Sequence, residues 1–68
     1  MRYLEFVPHE NLDIALGINV FAYRERVIEG RRVPVPVYGT LEKVDGRFIL
    51  TNDRTYFKLE EGEGVFLL

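Results

Sequence analysis

A proline-marked strand followed by a tight turn constrains the fold of this chain more than any other feature. Residues 33–50 read Val-Pro-Val-Pro-Val-Tyr-Gly-Thr-Leu-Glu-Lys-Val-Asp-Gly-Arg-Phe-Ile-Leu. Because side chains alternate along a strand, every second residue of the first part is predicted to share one face. These residues are Val33, Val35, Val37, Gly39 and Leu41.

The pair Asp45-Gly46 is typical of a two-residue hairpin turn, which needs positive φ values. Such a turn would set Leu41 opposite Leu50 and Lys43 opposite Phe48, so the apolar face continues across two strands. The sequence therefore predicts a long strand paired with a second one over this turn.

Two prolines and a glycine shape the long strand itself. Pro34 and Pro36 lack amide hydrogens and sit two residues apart, so both missing donors point to the same side. That side cannot form a normal ladder, which predicts an edge or a bulge. Gly39 has no side chain on the inner face and is predicted to permit a sharp bend.

The first half of the chain is predicted to hold a strand, a short helix and a second strand. Residues 2–7 form a strand ending at Pro8, and residues 9–16 make about two helical turns that stop at Gly17. Residues 18–28 fit either a strand or a helix continuing to Gly30. We favour the strand because four of these residues are β-branched.

The last third is predicted to hold a second hairpin and a final strand. Asn52-Asp53 would form the turn, placing Phe57 opposite Phe48 and Tyr56 opposite Ile49. Short alternating strands separated by turns predict a mainly β chain. We expect one domain over residues 1–68, a small, five-stranded, strongly bent and partly open barrel with a short N-terminal helix or strand.

Length and composition limit how much surface the chain can bury and where in the cell it is expected to act. A chain of 68 residues buries only about 60% of its unfolded surface. It has no cysteine for a disulfide, so association with another chain is the remaining way to bury more. No apolar run approaches the roughly 20 residues that span a bilayer, and no secretory pattern begins the chain. We expect a cytoplasmic protein without membrane contact; many glutamates and arginines hint at a thermophilic source.

The order of elements and two motifs resemble the Sm-like small β-barrels. The motifs are Gly39-Thr40-Leu41 and Asp45-Gly46-Arg47-Phe48. The resemblance implies a barrel and a ring-like oligomer. It does not imply uridine binding, because Ile49 stands where RNA-binding members have asparagine, and Glu63 stands where they have arginine before a glycine.

No residue pattern indicates catalysis, a metal or a cofactor. His9 is the single histidine, and serine and cysteine are absent. A threonine nucleophile would need an activating base, and none is evident. We therefore predict a non-catalytic protein that carries no cofactor.

Two groups of residues are candidate binding sites. Arg24, Arg26, Arg31 and Arg32 cluster on a predicted hairpin, where they would bind phosphates or else pair with Glu25 and Glu29. Separately, three large side chains are expected to project outward from the barrel and to contact a protein partner: Tyr38, Ile49 and Tyr56.

Alternatives remain open for the outward group. The N-terminal segment of the chain itself would cover these side chains, or single-stranded bases would stack on them beside flanking cations. The flanking cations are Arg47, Arg54 and Lys58.

The final strand is the predicted oligomer interface. Val65, Phe66, Leu67 and Leu68 are all apolar, so this strand has to bury both faces. A second subunit would cover its edge, or else residues 2–7 pair with it inside one chain. The function we predict is a small oligomeric interaction module, subunit or regulator with a homo-oligomeric or protein partner. The alternative is an RNA- or single-stranded-DNA-binding barrel.

Overall fold

The computed structural model describes residues 5–68, which form one antiparallel sheet curled into a half-barrel. The six strands are β1 (Phe6–Val7), β2 (Asn19–Ile28), β3 (Arg31–Val44), β4 (Arg47–Asn52), β5 (Thr55–Lys58) and β6 (Val65–Leu67). A 3₁₀ helix, His9–Ala15, lies between β1 and β2. The spatial order is β1-β6-β2-β3-β4-β5, so the C-terminal strand is inserted between the first two. The predicted mainly β, bent and partly open fold is confirmed.

The central hairpin has the predicted register. Leu41 pairs with Leu50 and Lys43 pairs with Phe48, and both Asp45 and Gly46 have positive φ. Gly39 lies where the strands come close together: a Cβ built on it would stand 2.8 Å from the carbonyl oxygen of Thr51. Only glycine fits this approach without a shift of backbone, which explains why it interrupts an otherwise apolar face.

The ambiguous segment after Gly17 is a strand, as favoured. Asn19–Ile28 pairs with β3 over its whole length, turning at Glu29-Gly30. The helix before it is confirmed in position but is of the 3₁₀ type, and Gly17 follows it with a φ of 81°. Of the strand predicted for residues 2–7, Phe6–Val7 is observed; residues 2–4 lie outside the described part of the chain.

The predicted register of the second hairpin is wrong by two residues. Leu50, not Phe48, pairs with Phe57, and the turn falls on residues 53–54. Asn52 stays in the strand because its side-chain amide donates to the carbonyl oxygen of Tyr38, 3.2 Å away. A shift of two residues keeps every side chain on its predicted face, since strand faces repeat with a period of two.

The expectation that β6 has an open edge is also wrong. Phe6 and Val7 of β1 pair with Phe66 and Val65 on one side of β6. Val20 and Phe21 of β2 pair with Leu67 and Phe66 on the other side. The amide of Leu67 also donates to the carbonyl oxygen of Glu5. This intramolecular pairing was the competing explanation for the apolar strand. Residues 65–67 therefore present no open edge to a second subunit.

The core lies on the concave face of the sheet, under the helix. Its buried side chains come from every strand except the short β5 and from the segments beside them. They are Val7, Leu12, Ala15, Val20, Ala22, Leu41, Leu50, Leu59 and Val65. Phe48 and Phe57 pack partly buried against this set. Among the described residues no helix is long or apolar enough to cross a membrane.

Candidate interaction surface

Four aromatic rings lie in a row across the convex, outer face of the sheet. Phe6 pairs with Phe66, Phe66 with Phe21, and Phe21 with Tyr38, one residue from each of four adjacent strands. Successive ring centroids are 5.0, 5.1 and 5.4 Å apart, and Phe21 and Phe66 are stacked at 17°. Contacts of this kind between cross-strand neighbours are favourable beyond the area they bury.

A fifth ring completes what we call the outer aromatic cluster. Tyr23, two residues beyond Phe21 on β2, stands edge-on to Phe21 and Phe66, at 5.5 and 5.8 Å between centroids. Phe21 is only 4% exposed although it is not part of the concave core, so the surrounding rings are what cover it. Phe6, Tyr23 and Tyr38 remain about half exposed. The outer aromatic cluster is thus a second small core that is open on one side.

The apolar surface continues from the cluster onto the hairpin of β2 and β3. Pro36 lies opposite Tyr23, Pro34 lies two residues further on, and Val27 is 72% exposed. Charge on this part of the outer face is limited to Glu25 and Arg32, which pair with each other at 3.8 Å. Such a continuous exposed apolar surface is uncommon on isolated domains and marks interaction sites.

The predicted outward group is only partly brought together. Tyr38 belongs to the outer aromatic cluster, and Tyr56, 78% exposed, lies on the same face beside Thr51. Ile49 is half-buried and pairs with Glu42 and Lys58 at the far end of β4. All three project outward as expected, but in the described structure no ring contact joins Tyr56 to the cluster.

The four arginines of the predicted cluster are divided between the two faces of the hairpin. Arg24 and Arg26 share the concave face of the hairpin, and Arg31, opposite Ile28, returns beside them. Arg32 pairs with Val27 and lies on the outer face. Arg31 therefore shares a face with Arg24 and Arg26, and Arg32 does not.

Arg24 is fully engaged within the chain. Its Nη2 donates to the carbonyl oxygen of Lys58 at 3.0 Å and to Oε1 of Glu63 at 2.8 Å. Its guanidinium also lies 4.0 Å from the ring centroid of Phe57. These contacts span the mouth of the half-barrel, from β2 to the end of β5, so Arg24 is a structural residue in this arrangement.

Glu63 organises the acidic loop that follows β5. Besides Arg24, its Oε1 accepts from the backbone amide of Glu60 at 2.6 Å. Its carbonyl oxygen accepts from Nδ1 of His9 at 2.8 Å. His9 is thus a hydrogen-bond donor to the loop, and the edge of its ring faces Phe48. Within residues 5–68 no three histidine, cysteine or carboxylate side chains converge as metal ligands.

Two of the three cations expected to flank the outward group, Arg47 and Lys58, lie beside its member Ile49. Arg47 and Lys58 line a shallow cleft with Ile49 at the turn between β3 and β4. The outer aromatic cluster lies on the other side of β3, toward β1 and β6. The structure therefore separates Arg47 and Lys58 from the rings of the outer aromatic cluster.

The sequence signal for this surface was incomplete. A turn at Glu29-Gly30 sets Phe21 opposite Tyr38, so half of the row follows from one local register. The other half comes from Phe6 and Phe66, which are 60 residues apart in sequence and meet only because β6 inserts beside β1. No local pattern predicts that pairing.

Comparison of the chain with protein-family models, curated proteins and solved structures finds no significant match. The resemblance to Sm-like barrels stays a prediction.

Proposed function

We propose that the chain is a non-catalytic interaction module that associates with a second copy of itself through the outer aromatic cluster. The observation that carries this proposal is the row of four rings with its fifth neighbour. Phe21 is already buried there, while Phe6, Tyr23 and Tyr38 each keep about half of their surface exposed. Burying aromatic side chains is the largest single contribution that an interface of this size can gain.

The surface area of the chain supports association. A compact monomer of 8.0 kDa exposes about 4,450 Å². This chain exposes 5444 Å². Its radius of gyration of 12.3 Å likewise exceeds the roughly 10.9 Å of a compact domain of this length. The chain is thus less compact than a typical domain of its size, which leaves more surface available to a partner.

The composition of the surface favours a second copy over an unrelated charged partner. In a twofold contact the same patch meets itself, so the patch must be self-complementary. Rings and proline side chains pack against one another without opposing charges. The two charged groups nearby, Glu25 and Arg32, are of opposite sign and can exchange partners across the axis.

The arrangement favours protein over nucleic acid. Base stacking in single-strand binders is combined with a cationic groove along the backbone. Here Arg24 is bound by Glu63, Arg32 is paired with Glu25, and Arg47 lies at the other end of the outer face. With a net charge of −2, the chain offers little long-range attraction for phosphates. We expect it to act in the cytoplasm.

Sedimentation equilibrium over a dilution series tests the proposal. The wild-type chain is expected to shift from monomer to dimer as concentration rises into the high micromolar range. The double variant Tyr23→Lys and Tyr38→Lys should remain monomeric, because each change places a charge in the cluster. Tyr56→Lys is the matched control: it makes the same change on the same face, outside the cluster, and should leave association unchanged. A wild-type monomer at the highest concentration, or equal loss in the control, would refute the proposal.

A further inference from the structure

Half of β2 has a strand on one side only. β6 pairs with Val20 and Phe21 and then ends, while β2 continues with β3 as far as Ile28. Residues 25–28 therefore form the free margin of a two-stranded ribbon, with no neighbouring strand on that side in the described structure. Ribbons of two strands are marginal alone, and a third strand stabilises them.

The backbone groups on this margin can be assigned from the prolines opposite. Pro34 lies across from Glu25 and Pro36 across from Tyr23, and neither proline has an N–H to donate. In an antiparallel ladder, residue pairs that exchange backbone hydrogen bonds alternate with pairs that do not. The two proline pairs must be of the second kind, so their backbone groups point away from the partner strand. The N–H and C=O groups of Glu25 and Val27 therefore point outward from the free margin. Neither residue makes a backbone hydrogen bond there to any other described residue.

The opposite margin of the same ribbon is closed to an added strand. Along the first half of β3 the outward-pointing residues include Pro34 and Pro36, which offer no donors. β4 joins β3 only from Thr40 onward. The two margins thus differ: the one on β3 is blocked by prolines, and the one on β2 has both donors and acceptors. An extended segment can be hydrogen-bonded on β2 only.

The side chains beside the free margin differ between the two faces. On the concave face Arg26 is exposed and has no ion-pair partner among the described residues, and Arg31 stands on the neighbouring strand. On the outer face the exposed groups are Tyr23 and Val27, with Glu25 between them held by Arg32. The concave face therefore carries two arginines beside the half-exposed Ile28, whereas the outer face is largely apolar.

A second copy of β2 is a poor occupant. If two copies paired about a twofold axis with Glu25 opposite Glu25, Arg24 would also stand opposite Arg26. Moving the axis by one residue toward Val27 sets Arg26 opposite Arg26, and moving it the other way sets Arg24 opposite Arg24. Like charges directly opposite destabilise a strand pair, so these central registers are all disfavoured.

We propose that the free margin of β2 binds an extended peptide in which acidic and apolar residues alternate, as an added strand. The backbone of the peptide hydrogen-bonds to Glu25 and Val27. Its acidic side chains face Arg26 and Arg31, and its apolar side chains lie against Tyr23 and Val27. Main-chain bonding of this kind gives affinity, while the alternate side chains give specificity. The site shares Tyr23 with the outer aromatic cluster, but its hydrogen bonds lie at the edge of the sheet and the rings of the cluster lie on its outer face.

Fluorescence anisotropy with a labelled peptide tests the proposal. The probe is a peptide of about six residues, the usual length of a strand, with glutamate and valine alternating. Saturable binding is expected for the wild-type chain. A peptide with lysine in place of each glutamate should bind at least about tenfold more weakly, because it places like charges beside Arg26. Equal binding of both peptides, or no binding of the first, would overturn the proposal.

Two variants locate the bound peptide. Val27→Pro removes an outward N–H without breaking a bond to β3 and should abolish binding while the thermal midpoint stays nearly unchanged. Arg26→Glu should weaken binding by about tenfold or more, whereas Arg47→Glu, the same charge change on β4, should not. Retention of binding in Val27→Pro, or equal loss in Arg47→Glu, would overturn the assignment to this margin.

A readout that needs no variant completes the test. On titration with the peptide, the amide signals of Glu25 and Val27 should shift most and become protected from solvent exchange. Shifts confined to the outer aromatic cluster would overturn the proposal.

Because the double variant at Tyr23 and Tyr38 also alters one contact of the peptide, Phe6→Lys serves to separate the two proposals: it should weaken self-association and leave peptide affinity unchanged.

Discussion

Nη2 of Arg24 lies 2.8 Å from Oε1 of Glu63, and this ion pair ties β2 to the loop that follows β5. The same guanidinium holds the carbonyl oxygen of Lys58 at the outer edge of β5. Arg24 thus links β2 to β5 and its following loop across the mouth of a sheet whose outermost strands, β1 and β5, do not pair. We expect the stability of the half-barrel to depend on it.

Replacing Arg24 with alanine should lower the free energy of unfolding by about 1–2 kcal/mol. The pair is partly exposed, with side chains 34% and 26% accessible, so solvent reduces the contribution of the charges. The hydrogen bonds and the packing on Phe57 add to it. Urea denaturation of both proteins measures the difference.

Arg32→Ala is the control for that experiment. It removes an arginine from the same hairpin, but its pair with Glu25 is 3.8 Å long and both side chains are mostly exposed. The expected loss is below about 0.5 kcal/mol. Equal losses in the two variants would show that Arg24 does not close the sheet.

Gly39→Ala should destabilise the fold by about 1–3 kcal/mol, because the added Cβ meets the backbone of Thr51 and forces the strands apart. Thermal melts compare it with Gly30→Asn, a change at a turn where nothing lies within 4 Å and where asparagine tolerates the positive φ. The turn variant should lose much less. An unchanged midpoint for Gly39→Ala would mean that the close approach of β3 and β4 is absent.

Phe21→Ala should cost about 2–4 kcal/mol, since it removes the buried centre of the outer aromatic cluster and leaves a cavity under three rings. Tyr56→Ala removes a comparable ring that is 78% exposed and should change stability by less than about 0.5 kcal/mol. Chemical denaturation of the two variants side by side distinguishes a second core from a set of surface rings. A small loss for Phe21→Ala would contradict the former.

A labelled single-stranded oligonucleotide should show no saturable binding that falls with salt. The reason is that Arg24 is held by Glu63, the carboxylate of Glu25 lies beside Arg32, and the remaining cations are spread over both faces. Anisotropy at low salt measures this, with a variant carrying alanine at all four hairpin arginines for comparison. Tight binding that disappears in that variant would restore the alternative function.

Local chemistry explains what the sequence predicts well here. Asp45-Gly46 fixes a register by itself, because a two-residue turn leaves one way to pair the flanking residues. Gly39 and the two prolines mark a close approach and an edge for reasons that involve only backbone geometry. Each of these features depends on a few consecutive residues.

The wrong predictions concern residues whose position is set by contacts with residues distant in the sequence. Asn52 was expected in the turn, but its amide bonds to Tyr38 on another strand and holds it in β4. A second subunit was the favoured cover for residues 65–68, whereas the observed cover is the alternative, pairing with Phe6 and Val7 of the same chain. The Phe6 and Phe66 half of the outer aromatic cluster depends on the same insertion of β6, and of the five rings the sequence pattern predicted only Tyr38 to project outward.

The prolines of β3 limit the assembly of copies of this chain into filaments by strand addition. An open-ended filament built by strand addition needs a subunit with two pairing-competent margins, one to receive and one to give. On the projecting ribbon Pro34 and Pro36 remove the donors from one margin, so a ribbon that has accepted a strand cannot pass the pairing on. Strand addition at this ribbon therefore terminates after a single step, which protects an exposed β-rich hairpin from fibre growth.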